Sequence, residues 1–394
     1  MTQNTGLSSP PNRLLLGAGP CNVHPRVLQA MNSSLLGHLD PHFLEVMDDV
    51  RSKLRYVFRT ENPVTIPISG TGTAGMEAAI VNVIEPGDTF VMAANGYFGQ
   101  RLAEIAERNG ANVVFVNHEF GDAVDPARVK DALSSIDNVK AVGVVHAETS
   151  TGVESPIKEI AEISHQAGAL LIVDAVTSLG GVELHVDEWG IDICYSCTQK
   201  CIGAPPGLAP FTMSSRAMEV VSNRSTKVRS FYLDLTELGS YWDRRAYHHT
   251  APISMIYALQ EALTLIVEEG IENRWERHTR NAAALRSGLH AMGLDVVANS
   301  SIALPSVTTV LAPDGVDEGE ARKYMLGHHN IELSGGLGPL AGKVWRIGTM
   351  GHNSTPNNVL MVLSALEDAL AQQGLEVNSG AGVAAAQRSL RAVD

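Results

Sequence analysis

The sequence predicts an α/β protein, with a mainly parallel central sheet in a large domain and a smaller C-terminal α+β domain. Between about residues 50 and 215, apolar runs of strand length alternate with amphipathic helical patterns, an order typical of parallel sheets. The runs are apolar throughout rather than at every second position, which indicates a sheet covered on both faces. At 394 residues, the chain is also long enough to form two domains.

The first domain takes its strands from the apolar runs and its helices from the amphipathic patterns between them. The predicted strands are residues 64–69, 89–93, 112–116, 141–146, 169–173, 191–196 and 208–213. The predicted helices are residues 76–84, 100–109, 126–135 and 157–167. In such sheets, ligands bind at the edge formed by the carboxyl ends of the strands.

Helical patterns dominate the chain after Pro252. The predicted helices are residues 258–269, 271–292, 318–328 and 355–372, with one more Ala-rich helix in the tail 377–394. The predicted strands are residues 294–297, 307–311 and 344–347. We therefore expect an N-terminal arm at residues 1–22, a large domain at residues 23–270 and a small domain at residues 271–394.

The chain is acidic, with 43 Asp and Glu residues against 29 Lys and Arg residues and a net charge of −14. Because no run of basic residues interrupts this acidity, nucleic acids and anionic membranes are poor partners. The longest apolar stretches are of strand length, far short of a membrane span. The first residues lack the basic and apolar regions of a signal peptide, so a cytoplasmic location is expected.

The four cysteines are too few for a disulfide scaffold in a chain of this length; they are Cys21, Cys194, Cys197 and Cys201. Three of them cluster, but a fourth nearby ligand is missing, so buried thiols are favoured over a metal site. The adjacent residues His248 and His249 are not expected to bind metal either, because adjacent side chains are expected to point apart. No metal is expected.

A glycine-rich turn at residues 69–75 joins a predicted strand to a predicted helix. Its glycines permit a tight turn, and the helix N-terminus offers free N–H groups to a phosphate, with hydroxyl donors on Thr71 and Thr73. The turn also matches G-x-G-x-x-G, so a dinucleotide site and a plain turn remain alternatives. A dinucleotide site requires an acidic residue at the end of the next strand, whereas Glu85 and Asp88 precede that strand.

Three further features follow predicted strands at the ligand-binding edge. Asp174 ends the apolar run 169–173, and a carboxylate emerging there needs a cation as its partner. Lys200 follows the next strand, in a loop where a lowered pKa would make it an amine nucleophile. Residues 146–152 place short donors and acceptors after another strand. Each feature alone has a structural explanation, as a helix cap, a surface lysine or a capped turn.

The order of these motifs resembles the fold-type I, class V aminotransferases, which use pyridoxal phosphate (PLP). The resemblance rests on the glycine turn followed by H-A-E-T-S-T-G, L-L-I-V-D and S-C-T-Q-K, and it extends over about residues 12 to 370. Within that class, the sequence is most similar to the alanine–glyoxylate aminotransferases. Further matching segments are residues 37–41, 95–101, 247–250 and 343–348.

The resemblance implies a role for each matching residue. Lys200 would carry the cofactor as a Schiff base and act as the catalytic base, and Asp174 would pair with the pyridinium nitrogen. The residues implied to bind the cofactor phosphate are Thr71, Gly72, Thr73 and Gln199, with Tyr247 and Thr250 of the partner subunit completing the site in a homodimer.

Three more residues are implied to contact the ring or the substrate. Thr149 would contact the ring hydroxyl, and Arg346 would bind the substrate carboxylate through its bidentate fork. Phe98 stands where the family stacks an aromatic residue, often Trp, on the ring. Because phenylalanine stacks a smaller area, this difference puts the cofactor affinity in doubt.

The implied reaction moves an amino group from L-alanine, with L-serine as a second donor, to glyoxylate, giving pyruvate and glycine by a ping-pong mechanism. Ureidoglycine–glyoxylate and serine–glyoxylate aminotransferases are the alternatives within the fold. Tyr247 and the glycine turn favour the alanine–glyoxylate enzymes. In the ureidoglycine enzymes, the resemblance places an Asn that contacts the ureido group at the position of Tyr247, and the phosphate turn differs. An NAD-dependent oxidoreductase using residues 70–75 is the alternative from another class.

Overall fold

The computed structural model describes residues 10–375 and 377–392. The strands are β1 Leu14–Leu15, β2 Val64–Ser69, β3 Thr89–Ala94, β4 Asn112–Asn117, β5 Val139–Val145, β6 Ala147–Glu148, β7 Val153–Glu154, β8 Leu170–Asp174, β9 Ile193–Tyr195, β10 Leu208–Met213, β11 Val307–Leu311, β12 Ile331–Glu332, β13 Ser334–Gly335 and β14 Val344–Gly348. The helices are α1 Pro25–Met31, α2 Pro41–Phe58, α3 Gly72–Val83, α4 Tyr97–Arg108, α5 Pro126–Ser134, α6 Ile157–Gln166, α7 Val186–Trp189, α8 Ser215–Ser222, α9 Leu235–Arg244, α10 Ile253–Glu269, α11 Ile271–Ala291, α12 Glu318–Tyr324, α13 Pro356–Gln372 and α14 Ala381–Arg391.

The central sheet has seven strands in the order β2-β10-β9-β8-β5-β3-β4. Strands β4, β3, β5, β8 and β9 run parallel, while β10 is antiparallel to both β2 and β9. The prediction of a mainly parallel sheet is thus confirmed. Strand β8 is buried along its whole length, as its unbroken apolar sequence predicts for a strand covered on both faces.

The C-terminal residues form a second, smaller core. A three-stranded antiparallel sheet in the order β11-β14-β13 packs with α11, α13 and α14 around the buried ring of Trp345. Leu16 from the N-terminal segment also lies in this core, and β1 pairs with β12 in parallel. The core of the large sheet is a separate cluster that draws on residues from Val27 to Trp275.

Several elements differ from the sequence-based prediction. The predicted strand at residues 294–297 is wrong: the segment forms one isolated bridge between Val296 and Val310. The predicted helix at 318–328 ends as α-helix at Tyr324 and continues as a π-helical turn. Helix α2 is absent from the predicted elements, although Asp40 caps it and Pro41 occupies its first turn, as helix starts favour.

None of the described helices is both long and apolar enough to cross a membrane.

Candidate active site

Asp174 lies at the carboxyl edge of the central sheet, as the last residue of β8. Its side chain is 2% exposed and accepts hydrogen bonds from the Val176 N–H at 2.8 Å and the Tyr195 hydroxyl at 3.0 Å. Tyr195 is its register partner on the neighbouring strand β9. Burial raises the pKa of Asp174 to about 6, against the lowering effect of these two hydrogen bonds. The carboxylate therefore lacks a full counter-charge.

Lys200 follows β9 in a buried turn at the same edge. Its side chain is 8% exposed, and its Nζ donates a hydrogen bond to the carbonyl oxygen of Ala18. Burial lowers the pKa of the Lys200 amine, which favours the neutral, nucleophilic form. The carboxylate of Asp174 acts in the opposite direction on this pKa. The structure thus brings the predicted amine and the predicted carboxylate to neighbouring strand ends.

The glycine turn connects β2 to α3 beside these two residues. Gly70 has a φ of +148°, a conformation that side chains disfavour. A Cβ on Gly72 would lie 3.1 Å from Val176 Cγ2 and 3.2 Å from Cys197 Cβ, so the turn packs directly against the ends of β8 and β9. Thr71 is the N-cap of α3, but its side chain makes no capping hydrogen bond. Its hydroxyl and the first N–H groups of the helix can therefore serve a ligand.

Two further residues that the resemblance implies for the phosphate are Thr73 and Gln199. Thr73 is exposed in the first turn of α3. Gln199 is half-buried, and its Oε1 is buried without a hydrogen-bond partner among the described residues. Because buried polar atoms are rarely left unpaired, this amide is a candidate contact for a polar ligand.

Glu148 is a buried carboxyl in this region that the sequence analysis did not select. It accepts hydrogen bonds from the Phe98 N–H at 3.2 Å and the Gly99 N–H at 3.4 Å, at the start of α4, and from the Ser150 N–H at 2.9 Å and Oγ at 2.6 Å. A Cβ on Gly96 would overlap the Glu148 side chain. Burial raises the pKa of Glu148, while these donors lower it. Glu148 thereby holds the helix that carries Phe98, which is half-buried.

Arg346 comes from β14 of the small core and reaches the edge of the large sheet. Its Nη1 donates to the carbonyl oxygen of Thr149 at 3.1 Å, and its Nε donates to that of Gly335 at 2.7 Å. The Thr149 hydroxyl is hydrogen-bonded to that of Thr177. Arg346 is 7% exposed, and burial lowers its pKa, while the carboxylate of Glu148 acts in the opposite direction. The structure thus brings Arg346 and Thr149 together.

Tyr247 and Thr250 are exposed on the loop between α9 and α10, and neither makes a contact with Lys200 or Asp174 within the described chain. The ring of Tyr247 lies 5.2 Å from that of His38. On the same loop, His249 Nε2 lies 2.7 Å from Ser69 Oγ, so the loop adjoins the glycine turn of its own chain. The expectation that His248 and His249 point apart is wrong: their Nδ1 atoms are 2.8 Å apart.

All four cysteines are buried as free thiols. Burial raises the pKa of Cys21 and Cys197 to about 12 and that of Cys201 to about 11, and it raises the pKa of Cys194 well above its usual range. These thiols are poor nucleophiles at neutral pH. Over residues 10–375 and 377–392, no group of His, Cys, Asp and Glu side chains is arranged to hold a metal ion.

Comparisons with known proteins agree on one family. The family model described as "Aminotransferase class-V" matches residues 14–359. Alanine–glyoxylate aminotransferase from Mus musculus is 43% identical over 367 residues, which cover 92% of this chain and 88% of that protein.

Two solved structures have the same fold. Alanine–glyoxylate aminotransferase from Nostoc sp. superposes with a TM-score of 0.91 at 50% identity, covering 94% of this chain and 98% of that one. Ureidoglycine–glyoxylate aminotransferase from Bacillus subtilis superposes with a TM-score of 0.95 at 42% identity, covering 98% and 99%.

Proposed function

Since the chain belongs to the class V aminotransferase family, we propose that it transfers the amino group of L-alanine to glyoxylate, giving pyruvate and glycine by a ping-pong mechanism. L-Serine is the second donor that we propose. Glyoxylate is supported as the acceptor because it appears in the names of both the similar alanine enzyme and the similar ureidoglycine enzyme. The family assignment also favours a phosphate site over the dinucleotide alternative at the glycine turn.

The cofactor is pyridoxal phosphate, on which the family depends. The described residues fit its phosphate, because the start of α3 offers uncapped N–H groups and the hydroxyls of Thr71 and Thr73. We propose that these groups, the N–H of Gly72 and the amide of Gln199 bind the phosphate. Gln199 would bind the phosphate through Nε2, which donates, and turning the side-chain amide exchanges Nε2 with the buried, unpaired Oε1.

The cofactor, when bound, supplies a carbonyl carbon for the amine and a ring that accepts the electrons left at Cα. We assign Asp174 the role of holding a proton on the ring nitrogen, which its buried carboxylate does by pairing with the resulting cation. Phe98 would cover a face of the ring, and Thr149 would contact the ring hydroxyl.

Lys200 is the group that carries the cofactor and moves the proton. Burial lowers the pKa of its amine, so a larger fraction of the amine is neutral. The neutral amine can accept the proton from the substrate Cα. Arg346 binds the substrate carboxylate, which places Cα within reach of the lysine. Its Nε and Nη1 are already held by Gly335 and Thr149, so the guanidinium is preorganised.

One observation carries the proposal: a buried amine and a buried carboxylate lie at neighbouring strand ends, beside a glycine turn that can bind phosphate. Lys200→Ala tests it. The variant should lose the visible absorbance of lysine-linked pyridoxal phosphate and all measurable conversion of alanine and glyoxylate, because no other amine replaces Lys200. Lys130→Ala, which removes an exposed lysine of α5, is the matched control and should retain both. Normal turnover by Lys200→Ala would refute the assignment.

Ureidoglycine is the donor in the alternative function, which the structural likeness to the ureidoglycine enzyme favours. Initial rates with alanine, serine and ureidoglycine at equal concentration, each with glyoxylate, decide between them. A kcat/KM for ureidoglycine that exceeds the value for alanine would overturn the alanine proposal and leave the chemistry of Lys200 unaffected.

We propose that the enzyme acts as a homodimer in which Tyr247 and Thr250 of the partner subunit reach the phosphate. The exposure of both side chains supports this, since Tyr247 is 63% exposed in the single chain. The cytoplasmic location stays a prediction.

A further inference from the structure

The segment from Leu14 to Asn22, here called the N-terminal strap, is attached through its first half to the sheet that carries Arg346. The Gly348 N–H, at the end of β14, donates to the carbonyl oxygen of Leu16 at 2.8 Å. The Ala18 N–H donates to Ser334 Oγ at 3.0 Å. Ser334 is the register partner of Arg346 across β13 and β14. These hydrogen bonds fix the strap to the strands β13 and β14, the second of which carries Arg346.

The second half of the strap is attached to the loop that carries Lys200. The Cys21 N–H donates to the carbonyl oxygen of Gln199 at 3.0 Å, and Cys21 Sγ lies 3.2 Å from the carbonyl oxygen of Lys200. Between these attachments, the Lys200 amine donates to the carbonyl oxygen of Ala18. The strap thus connects the two cores directly across the lysine.

Gly19 is the point where the strap backbone touches the lysine side chain. A Cβ there would lie 2.6 Å from Lys200 Cδ, 2.7 Å from Cε and 3.0 Å from Nζ. Its φ of +99° also belongs to the region that glycine favours. Any other residue would be strained by this backbone conformation and would displace the flexible end of the Lys200 side chain, from Cδ to Nζ.

We propose that the N-terminal strap is a positioning element of the active site, which holds the free amine of Lys200 on the Ala18 carbonyl oxygen in register with Arg346. The proposal rests on the proposed function, in which Lys200 is free during part of each cycle. A buried amine without an acceptor is unfavourable, and a lysine has several rotatable bonds along which it can leave its working position. A backbone carbonyl accepts its hydrogen bond without titrating or competing as a nucleophile.

Gly19→Ala tests the proposal against Gly87→Ala as the matched control. Gly87 has a φ of +92° and no atom within 4 Å of an added Cβ, so both variants carry a similar backbone cost and only one presses on the lysine. In the full chain stripped of cofactor, acetic anhydride should acetylate Lys200 several-fold faster in Gly19→Ala than in Gly87→Ala, as measured by mass spectrometry of the Lys200 peptide. In the holoenzyme, cofactor release should be about tenfold faster, because the displaced lysine holds the cofactor less well.

Ser334→Ala is the second variant, chosen because it adds no bulk and loosens the strap away from the lysine. It removes the acceptor of the Ala18 N–H, so Lys200 acetylation should rise about two- to tenfold, as loss of one buried hydrogen bond predicts. A strap that only supports the fold would lower the unfolding temperature and leave native-state acetylation unchanged.

Acetylation and cofactor release within twofold of the control in both variants would overturn the proposal. If the unaltered protein and all variants lacked the absorbance of lysine-linked cofactor, the proposed function would be wrong. The acetylation rates of Lys200 would still test the role of the strap in that case.

Discussion

The exchange Asp174→Asn is expected to raise the stability of the cofactor-free chain and to lower its activity. The carboxyl is 2% exposed, and burial raises its pKa from the ordinary 3.8 to about 6. At about 1.4 kcal/mol per pH unit, this rise in pKa means that the ionised carboxylate lowers the free energy of unfolding by about 3 kcal/mol. Asparagine has nearly the same shape and no charge, and it can still accept from the Val176 N–H.

The sign of the pH dependence follows from the raised pKa. Between about pH 4 and pH 6, the folded chain binds more protons at Asp174 than the unfolded chain does, so this group destabilises the fold increasingly as pH rises. The effect is complete above about pH 6. The cofactor-free Asp174→Asn variant should therefore be more stable than the unaltered chain by up to about 3 kcal/mol at pH 8 and by much less at pH 4.5. Its turnover should fall by orders of magnitude, because the proton on the ring nitrogen loses its partner.

Urea titrations at both pH values, at one protein concentration and without cofactor, measure this difference in unfolding free energy. Asp192→Asn is the control. Asp192 is also buried, but its Oδ2 lies 2.7 Å from Arg216 Nη1 and accepts from the Leu171 N–H at 2.9 Å. Breaking that ion pair should destabilise the chain at pH 8. The reasoning fails if Asp174→Asn gains no stability at pH 8, or gains equally at both pH values.

Three further exchanges test other parts of the site. Arg346→Lys should raise the KM for both amino acid and keto acid about tenfold or more in steady-state kinetics, since lysine lacks the fork that binds a carboxylate in two places; an unchanged KM would contradict this role. Phe98→Trp should tighten cofactor binding about two- to fivefold in equilibrium dialysis, because indole stacks a larger area, and weaker binding would speak against stacking at this position. Glu148→Ala should lower the unfolding free energy in urea by about 2–4 kcal/mol, since four hydrogen bonds lose their acceptor, with Glu148→Gln losing less; equal loss in both would show that the oxygen acceptor is unimportant.

The central sheet and the placement of Asp174 and Lys200 were predictable because both follow from local signals. Strands β2 and β10 have the predicted bounds, since each is a short segment rich in apolar residues that is followed by turn or helix-capping residues. Asp174 ends the parallel strand β8 and Lys200 lies in the loop that follows the neighbouring strand β9, so both were expected at the carboxyl edge of the sheet.

The contacts made over long sequence separations could not be predicted in this way. Lys200 meets Ala18 across 182 positions, and Arg346 meets Thr149 across 197 positions, through the packing of two separate cores. Periodicity carries no information on such contacts. Glu148 could have been identified from the sequence, because a carboxylate that follows a strand can bind the free N–H groups of a helix that begins after a glycine. Which helix it binds becomes clear only when both elements are placed on the sheet.

Four buried charged groups face this site, and burial shifts every one of their pKa values toward the neutral form. It raises the pKa of the carboxyls of Asp174 and Glu148 and lowers that of Lys200 and Arg346. No ion pair joins any two of them in the described chain. Glu148 differs from Asp174 in the number of its donors, because it accepts four hydrogen bonds from its own chain, two on each oxygen, so we expect it to contribute to the fold.

Asp174 has only two donors and keeps an unbalanced charge, so its partner has to come from a ligand. Asp174→Asn keeps the shape of the side chain and removes its charge, whereas Glu148→Ala removes the acceptor of four hydrogen bonds, so we expect opposite effects of the two exchanges on stability.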